Sequence, residues 1–465
     1  MDQSLLNQFQ SKRQSVDDRI AAGKELRKKF PRNLHGEYIP ATDRADPVSI
    51  LEDQAKSRLQ ELVPVRYARM LTSPFAFLRG GAAIMAADLA ANGRNTGINV
   101  QACGDLHVAN FGVFASAERN LVFGINDFDE TMPGPWEWDM KRLVTSIVAS
   151  GRFLGADKGL CDESVRAAVS SYRKRMKQYA FMGNMELWYS TIGEKDILNT
   201  LSPSARKGAE KIMGKARQRS HMQVLSKLTD LIDEKYRMRE NAPFIVRETD
   251  TQSGKPIEEA LGLLFESYFL SLADDRKKLL QEYRIADVAR KVVGIGSVGT
   301  RCWVIFLLGN HSNDPLFLQV KEAQRSVLDP FISKSIYENQ GRRVVEGQRL
   351  IQGAPDIFLG WGEQDGIHFY LRQLRDWKGG LEFDPKVVRI KNYPQYCSLC
   401  GWALALAHAK SGDPAMISGY IGNSDELDKA MLKFALAYVN QNEKDYKALK
   451  TAAKSGRIKV AAVKE

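Results

Sequence analysis

The chain has 465 residues, a formal net charge of +11 and 44% apolar residues. That length exceeds one simple core and suggests two or three domains, or two large lobes. No run of eighteen apolar residues occurs, which argues against a membrane-spanning helix, and the polar start MDQSLLNQFQSKRQ lacks the apolar stretch of a secretion signal.

The five cysteines are scattered, which fits a reducing compartment and an expected cytoplasmic location. Cys397 and Cys400 form a CxxC, but they lie in YCSLCGWALALAHA, which reads as a buried helix rather than a zinc or redox site. The positive charge favours anionic substrates or polyanionic partners through long-range attraction. It concentrates in residues 204–239 and in the tail from Lys444. Solvated helix faces are the ordinary reading of both. A nucleic-acid partner stays open on charge alone, because no module with interleaved aromatics accompanies it. No membrane partner is expected.

In chain order, residues 1–100 read as an N-terminal helical region. SILEDQAKSRLQELVPVRYARML has apolar residues at helical spacing, interrupted at Pro64. SPFAFLRGGAAIMAADLAAN reads as one helix from Ser73-Pro74 to Asn92-Gly93. Residues 101–150 hold an extended GINVQACGDLH, a short strand NLVFGINDF and the helix WEWDMKRLVTSIVASGRFL. Residues 151–284 look almost wholly helical, with a loop near Pro243–Pro256. Residues 285–378 change character. KVVGIGSVGTRCWVIFLLGNHSNDPLFLQVKEA predicts two or three antiparallel strands joined by turns, GRRVVEGQRLIQG a short helix, and DIFLGWGEQDGIHFYLRQLRD a hairpin turning at Asp365-Gly366. Residues 379–465 return to helix.

Two clusters carry chemistry. CGDLHVANFG places Asp105 and Asn110 five residues apart, and INDFDE adds Asp127, Asp129 and Glu130. Downstream, Gly294, Gly296 and Gly299 form a GxGxxG. In a dinucleotide-binding unit this loop opens a helix, whereas here the strand-like RCWVIFLL follows. The other use is a glycine-rich hairpin over nucleotide phosphates, with a lysine on the third strand. Lys321 in LFLQVKEA is that lysine. A lysine at a strand centre needs an anion, and Glu346 on the next helix is the expected carboxylate, with Glu338 second. On this reading Gly294, Gly296, Ser297 and Gly299 cover the phosphates. The DxxxxN spacing then makes Asp105 the base for an acceptor hydroxyl and Asn110 a Mg²⁺ ligand. Asp127 joins it as a metal ligand with Asp129 beside it, oxygen donors suiting a hard cation. Asp139 either anchors the loop backbone from its helix or is an ordinary acid in a first turn. Arg79 and Arg375 are candidates for acceptor contacts.

GDLHVANFG, INDFDE and WEWDMKRL together resemble the catalytic core of aminoglycoside phosphotransferases and choline kinases. The wider set SPFAFLRG, NDFDETMPGPWEWDMKRL, VGIGSVGTRCW, FLQVKEA, VVEGQRLIQ and RQLRDWKGG, spanning most of residues 60–440, resembles domain-of-unknown-function family 2252 of the kinase-like superfamily. The resemblance implies an α+β, protein-kinase-like two-lobed fold, with a large helical lobe and a smaller antiparallel β lobe, that binds ATP and Mg²⁺. Two departures stand out. Kinases usually have a histidine two residues before the catalytic aspartate; here Cys103 takes that place, and His107, on the other side, is the candidate to replace its orienting role. The order is also inverted, because the catalytic-loop motif precedes the glycine loop. That implies a circular permutation.

The expected function is therefore ATP- and Mg²⁺-dependent phosphoryl transfer to an unknown, anionic or small-molecule acceptor. The alternatives are a nucleotide-binding pseudokinase or scaffold without turnover, and a nucleotidyl transferase. A binuclear metallophosphoesterase is also weighed, because Asp105-Leu106-His107 is a DxH and Gly309-Asn310-His311 a GNH. However, no GDxxD lies between them and Ser312 follows the GNH.

Overall fold

A computed structural model describes residues 7, 9–219, 221–250, 254–292, 294–374 and 377–462. The protein is α+β, about 52% helix and 15% strand, with several antiparallel sheets. Among the described residues no single helix is long and apolar enough to cross a membrane.

Helix α1 (Val16–Lys29) starts with a capping box between Ser15 and Asp18. Helix α2 (Pro47–Ala55) is capped by Asp46. The helical stretch expected around Pro64 breaks earlier, between residues 56 and 62. Pro64 instead lies in the first turn of α3 (Val63–Met70), where a missing N–H costs nothing. The next expected helix is two: α4 (Pro74–Gly80), capped by the Ser73 side chain, and α5 (Ala82–Ala91), bent by 75° from it. The bend falls at Gly80-Gly81. A Cβ on Gly80 would lie 2.7 Å from Met70 Sδ, so a side chain there would push the Met70 side chain of α3 aside.

Strands β1 (Asn99–Ala102) and β4 (Met132–Pro135) form one antiparallel pair, and β2 (Phe111–Ala115) and β3 (Leu121–Ile125) form another, which a short strand at Ile192–Gly193 extends to three. Helix α6 (Trp136–Phe153) is buried almost all round, as a core helix must be. Around it pack α7 (Lys158–Ala180) and, from the far end of the chain, α15 (Tyr393–Ser411) and α17 (Glu426–Lys454), with α16 (Pro414–Ile421) between these two in sequence. Cys397 and Cys400 are buried, unpaired packing residues of α15.

The segment expected to be almost wholly helical contains α8 (Asn184–Tyr189), β5 (Ile192–Gly193), α9 (Glu194–Thr200), α10 (Pro203–Gln218) and α11 (His221–Leu228). It then departs from expectation with the hairpin β6 (Thr229–Ile232) and β7 (Lys235–Met238), and with β8 (Ile245–Val246). Asp233 and Glu234 turn that hairpin with φ of 48° and 60°, a two-residue turn of type I′ sign built without glycine. Helices α12 (Ile257–Ser271) and α13 (Asp274–Leu280) follow.

The large sheet contains β9 (Arg284–Lys291), β10 (Cys302–Leu308), β11 (Pro315–Glu322), β12 (Gly360–Gln364) and β13 (Ile367–Gln373), in the order β12-β13-β11-β10-β9-β8, all antiparallel. The β12–β13 turn is at Asp365-Gly366, as expected, with φ of 51° and 73°. Every residue of β10 and β11 is buried. One face packs on Leu261, Leu264 and Tyr268 of α12, the other on Val224 and Leu225 of α11 and Met238 of β7. Covering on both faces is why β10 reads as an unbroken apolar run and β11 as one until Gln319. Helix α14 (Gln340–Ile351) lies between this sheet and the helical body.

Candidate active site

A cleft of about 1180 Å³ opens between the large sheet and the helical body. It is lined by the loop after β1, the acidic loop after β3, the glycine loop between β9 and β10, and Lys321 of β11.

The loop after β1 is held from below. Gly104 has φ of +76°, and a Cβ there would lie 2.6 Å from the Glu130 carbonyl oxygen, so only glycine makes this turn. Asp139, in the first turn of α6, accepts from the Cys103 N–H at 2.6 Å and the Gly104 N–H at 3.0 Å. His408 of α15 sits 3.3 Å from the same carboxylate, and the Tyr172 hydroxyl is 2.9 Å from the other His408 nitrogen. Asp139 therefore anchors the loop backbone.

Asp105 is thereby turned into the cleft, where Arg142 Nε donates to its Oδ1 at 2.6 Å. Burial pushes the Asp105 carboxyl up to about 7. Arg142 opposes that rise, while Glu130 and Asp127 add to it. The Asn110 side-chain amide donates to the Asp105 carbonyl oxygen at 2.7 Å, so the two ends of the DxxxxN are tied together. His107 does not take the orienting role; Arg142 holds the Asp105 carboxylate. The His107 ring is buried, Nδ1 has no partner among the described residues, and desolvation, with Arg79 and Arg142 nearby, holds it well below the ordinary histidine range.

The acidic loop meets the lysine. Lys321 is 3% exposed and forms an ion pair with Asp129, with Asp127 at 3.9 Å. Tyr370 donates its hydroxyl to Asp129 Oδ1 at 2.6 Å, and Ser297 of the glycine loop donates to Oδ2 at 3.1 Å. Desolvation would raise the Asp129 carboxyl, but Lys321, Tyr370 and Arg372 outweigh it and hold it at about 2. The carboxylate expected at Lys321 was Glu346. Its side chain instead meets Arg349 on its own helix at 3.5 Å, and Glu338 is exposed. The strand lysine is answered from the loop beneath it because Asp129 projects directly under β11. Both Asp129 oxygens are engaged, so the donors left for a hard cation are Asp127, 36% exposed, and Asn110.

The glycine loop makes one short turn, Ile295–Ser297. A Cβ on Gly296 would lie 3.8 Å from Asp105 Oδ2, so the loop tip lies over that carboxylate. Gly299 has φ of +89° and packs on Arg58, while the Gly299 carbonyl accepts from Leu59 N–H at 2.7 Å. Gly294 has no neighbour that a side chain would meet.

Several contributors escape the motif reading. Arg142 lies three residues after Asp139, on the same helix face, and that spacing was a usable signal. Tyr370 and Arg372 alternate on β13 and so share a sheet face toward the site. Arg372 reaches the Asn126 carbonyl at 3.2 Å, and Arg343 of α14 holds the carbonyls of Asp129 and Thr131 at 2.8 and 2.6 Å. Arg375 lies outside the described residues. His311 sits in the exposed β10–β11 turn, accepting from Asn313 N–H at 3.3 Å, and does not line the cleft.

The fold and this cleft define an α+β protein in which an acidic loop and a glycine loop with a strand lysine meet across a sheet–helix junction. The family described as an uncharacterized protein conserved in bacteria (DUF2252) matches residues 58–452, and the chain belongs to it. No curated protein and no solved structure matches the chain.

Proposed function

We propose that the protein is an ATP- and Mg²⁺-dependent phosphotransferase with a kinase-like, circularly permuted fold. One observation carries this reading. Asp105, Asn110 and Asp127 line the same cleft as the glycine loop and Lys321, although Ser297 and Asp129 are 168 positions apart in sequence. Each part has a chemical task. Lys321 neutralises phosphate oxygens, and the glycine loop lets its backbone approach them. Asp127 and Asn110 supply oxygen donors for Mg²⁺, which binds few protein carboxylates and completes its shell with phosphates and water. Asp105 accepts the acceptor's proton, and a carboxyl held at about 7 is well matched to that task near neutral pH. The acceptor's identity is left to screening, and the chain's positive charge favours an anionic one.

Thermal unfolding with and without Mg-ATP tests the reading on wild type, Asp127→Asn and Lys321→Met. Ligand at a hundred times its dissociation constant stabilises by about 2.7 kcal/mol. Stabilisation in wild type that is lost in both variants supports one nucleotide site. No stabilisation by any nucleotide sinks it. Nucleotide binding with no transfer across an acceptor panel would favour the pseudokinase, and release of pyrophosphate would favour nucleotidyl transfer.

A further inference from the structure

Arg79 stands in the cleft without a hydrogen-bonded anion among the described residues. It occupies the last turn of α4, its guanidinium 5.9 Å from the Phe75 ring centre. It makes no hydrogen bond and no ion pair among the described residues, and its Nε is fully enclosed without an acceptor. Its acidic neighbours are Asp105, held by Arg142, and Asp127, whose Oδ1 lies 3.9 Å from Lys321. Arg58, Arg66 and Arg69 share this wall, and two of them each hold a backbone carbonyl. Arg58 Nη1 donates to the Val298 carbonyl at 2.6 Å, and Arg66 Nη2 to the Gly80 carbonyl at 3.0 Å. Unlike Arg58 and Arg66, Arg79 makes no hydrogen bond through either terminal nitrogen among the described residues. Its own carbonyl lies 3.7 Å from where a Gly296 side chain would begin, which puts Arg79 beside the tip of the glycine loop. A largely enclosed guanidinium that makes no hydrogen bond is costly, and Asp105 and Asp127 offset that cost only through longer-range attraction. Such a group persists where an incoming anion completes it.

We propose that Arg79 binds the phosphoryl group in flight: the γ-phosphoryl of a nucleoside triphosphate, between Asp105 and Asp127. This rests on the phosphotransferase reading. In the step, the acceptor hydroxyl oxygen bonds to the γ-phosphorus. The bond from that phosphorus to the β–γ bridging oxygen breaks. The nucleoside diphosphate leaves with that electron pair, and the hydroxyl proton passes to Asp105. Arg79 donates to the equatorial oxygens throughout, where charge builds.

The test uses the full chain as wild type, Arg79→Met and Arg79→Lys. Met keeps the apolar stem and removes the charge. Arg79→Met gives up no hydrogen bond, only the Phe75 ring contact and longer-range attraction to Asp105 and Asp127, so without ligand it should lose at most about 1 kcal/mol; a loss of the size that follows breaking a buried ion pair, about 3–5 kcal/mol, overturns the idea that it waits for a ligand. By calorimetry, wild type should bind Mg-ATP more tightly than Mg-ADP. Arg79→Met should lower ATP affinity about ten- to a hundredfold, leave ADP affinity unchanged, and be partly rescued by Arg79→Lys. An ATP-to-ADP ratio equal to wild type in Arg79→Met overturns the proposal and leaves the phosphotransferase reading standing. If wild type binds neither nucleotide, that reading falls. Titration with inorganic phosphate then decides for Arg79 alone: binding that needs Arg79 keeps it as an oxyanion site, and binding indifferent to Arg79 removes it.

Discussion

At the residue scale, two carboxylates in one cleft are pushed in opposite directions. Asp105 is raised to about 7 because burial outweighs Arg142, and Asp129 is held at about 2 because Lys321, Tyr370 and Arg372 outweigh burial. A base works only when deprotonated, so transfer should fall as pH drops through about 7 and level off above it. A pH–rate profile of kcat/KM whose acid limb lies near 4 would remove Asp105 from that role. Asp105→Asn should reduce turnover by about 10²–10⁴-fold while leaving nucleotide binding intact. Lys321 and Asp129 act as a unit. Lys321→Met removes the ion-pair partner of Asp129, leaving it Tyr370 and Ser297, and should destabilise by about 1–3 kcal/mol. Adding Asp129→Asn should recover part of that loss in denaturant unfolding, and a simple sum of the two single losses would deny the coupling. Asp105, Asn110 and Asp127 were legible in the sequence because their spacing is local. The partner of Lys321 was not, because Asp129 lies 192 positions away and a closer helical acid, Glu346, offered itself.

At the element scale, glycine and turn chemistry decide where structure breaks. The apolar runs of β10 and of β11 before Gln319 were readable because strands covered on both faces need β-branched and aromatic residues. The β6–β7 hairpin was not, because LTDLIDEKYRM has the charge and helix-forming residues of the helices before it. Its turn uses Asp233 and Glu234 at positive φ in place of the asparagine and glycine that usually announce one. The break at Gly81 went unseen for the opposite reason: the apolar stretches on both sides, FAFL before and AAIMAA after, read as continuous helix. Gly104 is the turn on which the site depends. Gly104→Ala forces a Cβ toward the Glu130 carbonyl at positive φ and should cost about 1–3 kcal/mol. It should also impair nucleotide-dependent activity beyond that, because Asp105 follows directly. Wild-type unfolding and activity in Gly104→Ala would show that the turn is not constrained as described.

At the scale of the whole molecule, helices from the two ends of the chain close on one another. Arg27 Nε donates to the Tyr420 carbonyl at 2.7 Å, tying α1 to α16. Arg44 pairs with Asp88 of α5 and Asp445 of α17, both at 2.6 Å, with the arginine 14% and each acid 5% exposed. Arg44→Met strands two buried acids and should destabilise the chain by about 3–5 kcal/mol. Its unfolding curve should shift as one transition, and a separate early transition would show that the ends come apart alone. None of this was legible, since no local pattern marks a contact between positions 401 apart. The same separation sets a schedule for synthesis. A ribosome adding roughly 5–20 residues per second needs about 20–80 s between Arg44 and Asp445. Throughout that interval α2 to α5, which carry Arg79, have no α17 to cover them. The nascent helices must stay open until nearly the last helix emerges, which makes this early segment the place where a holding chaperone would be engaged longest.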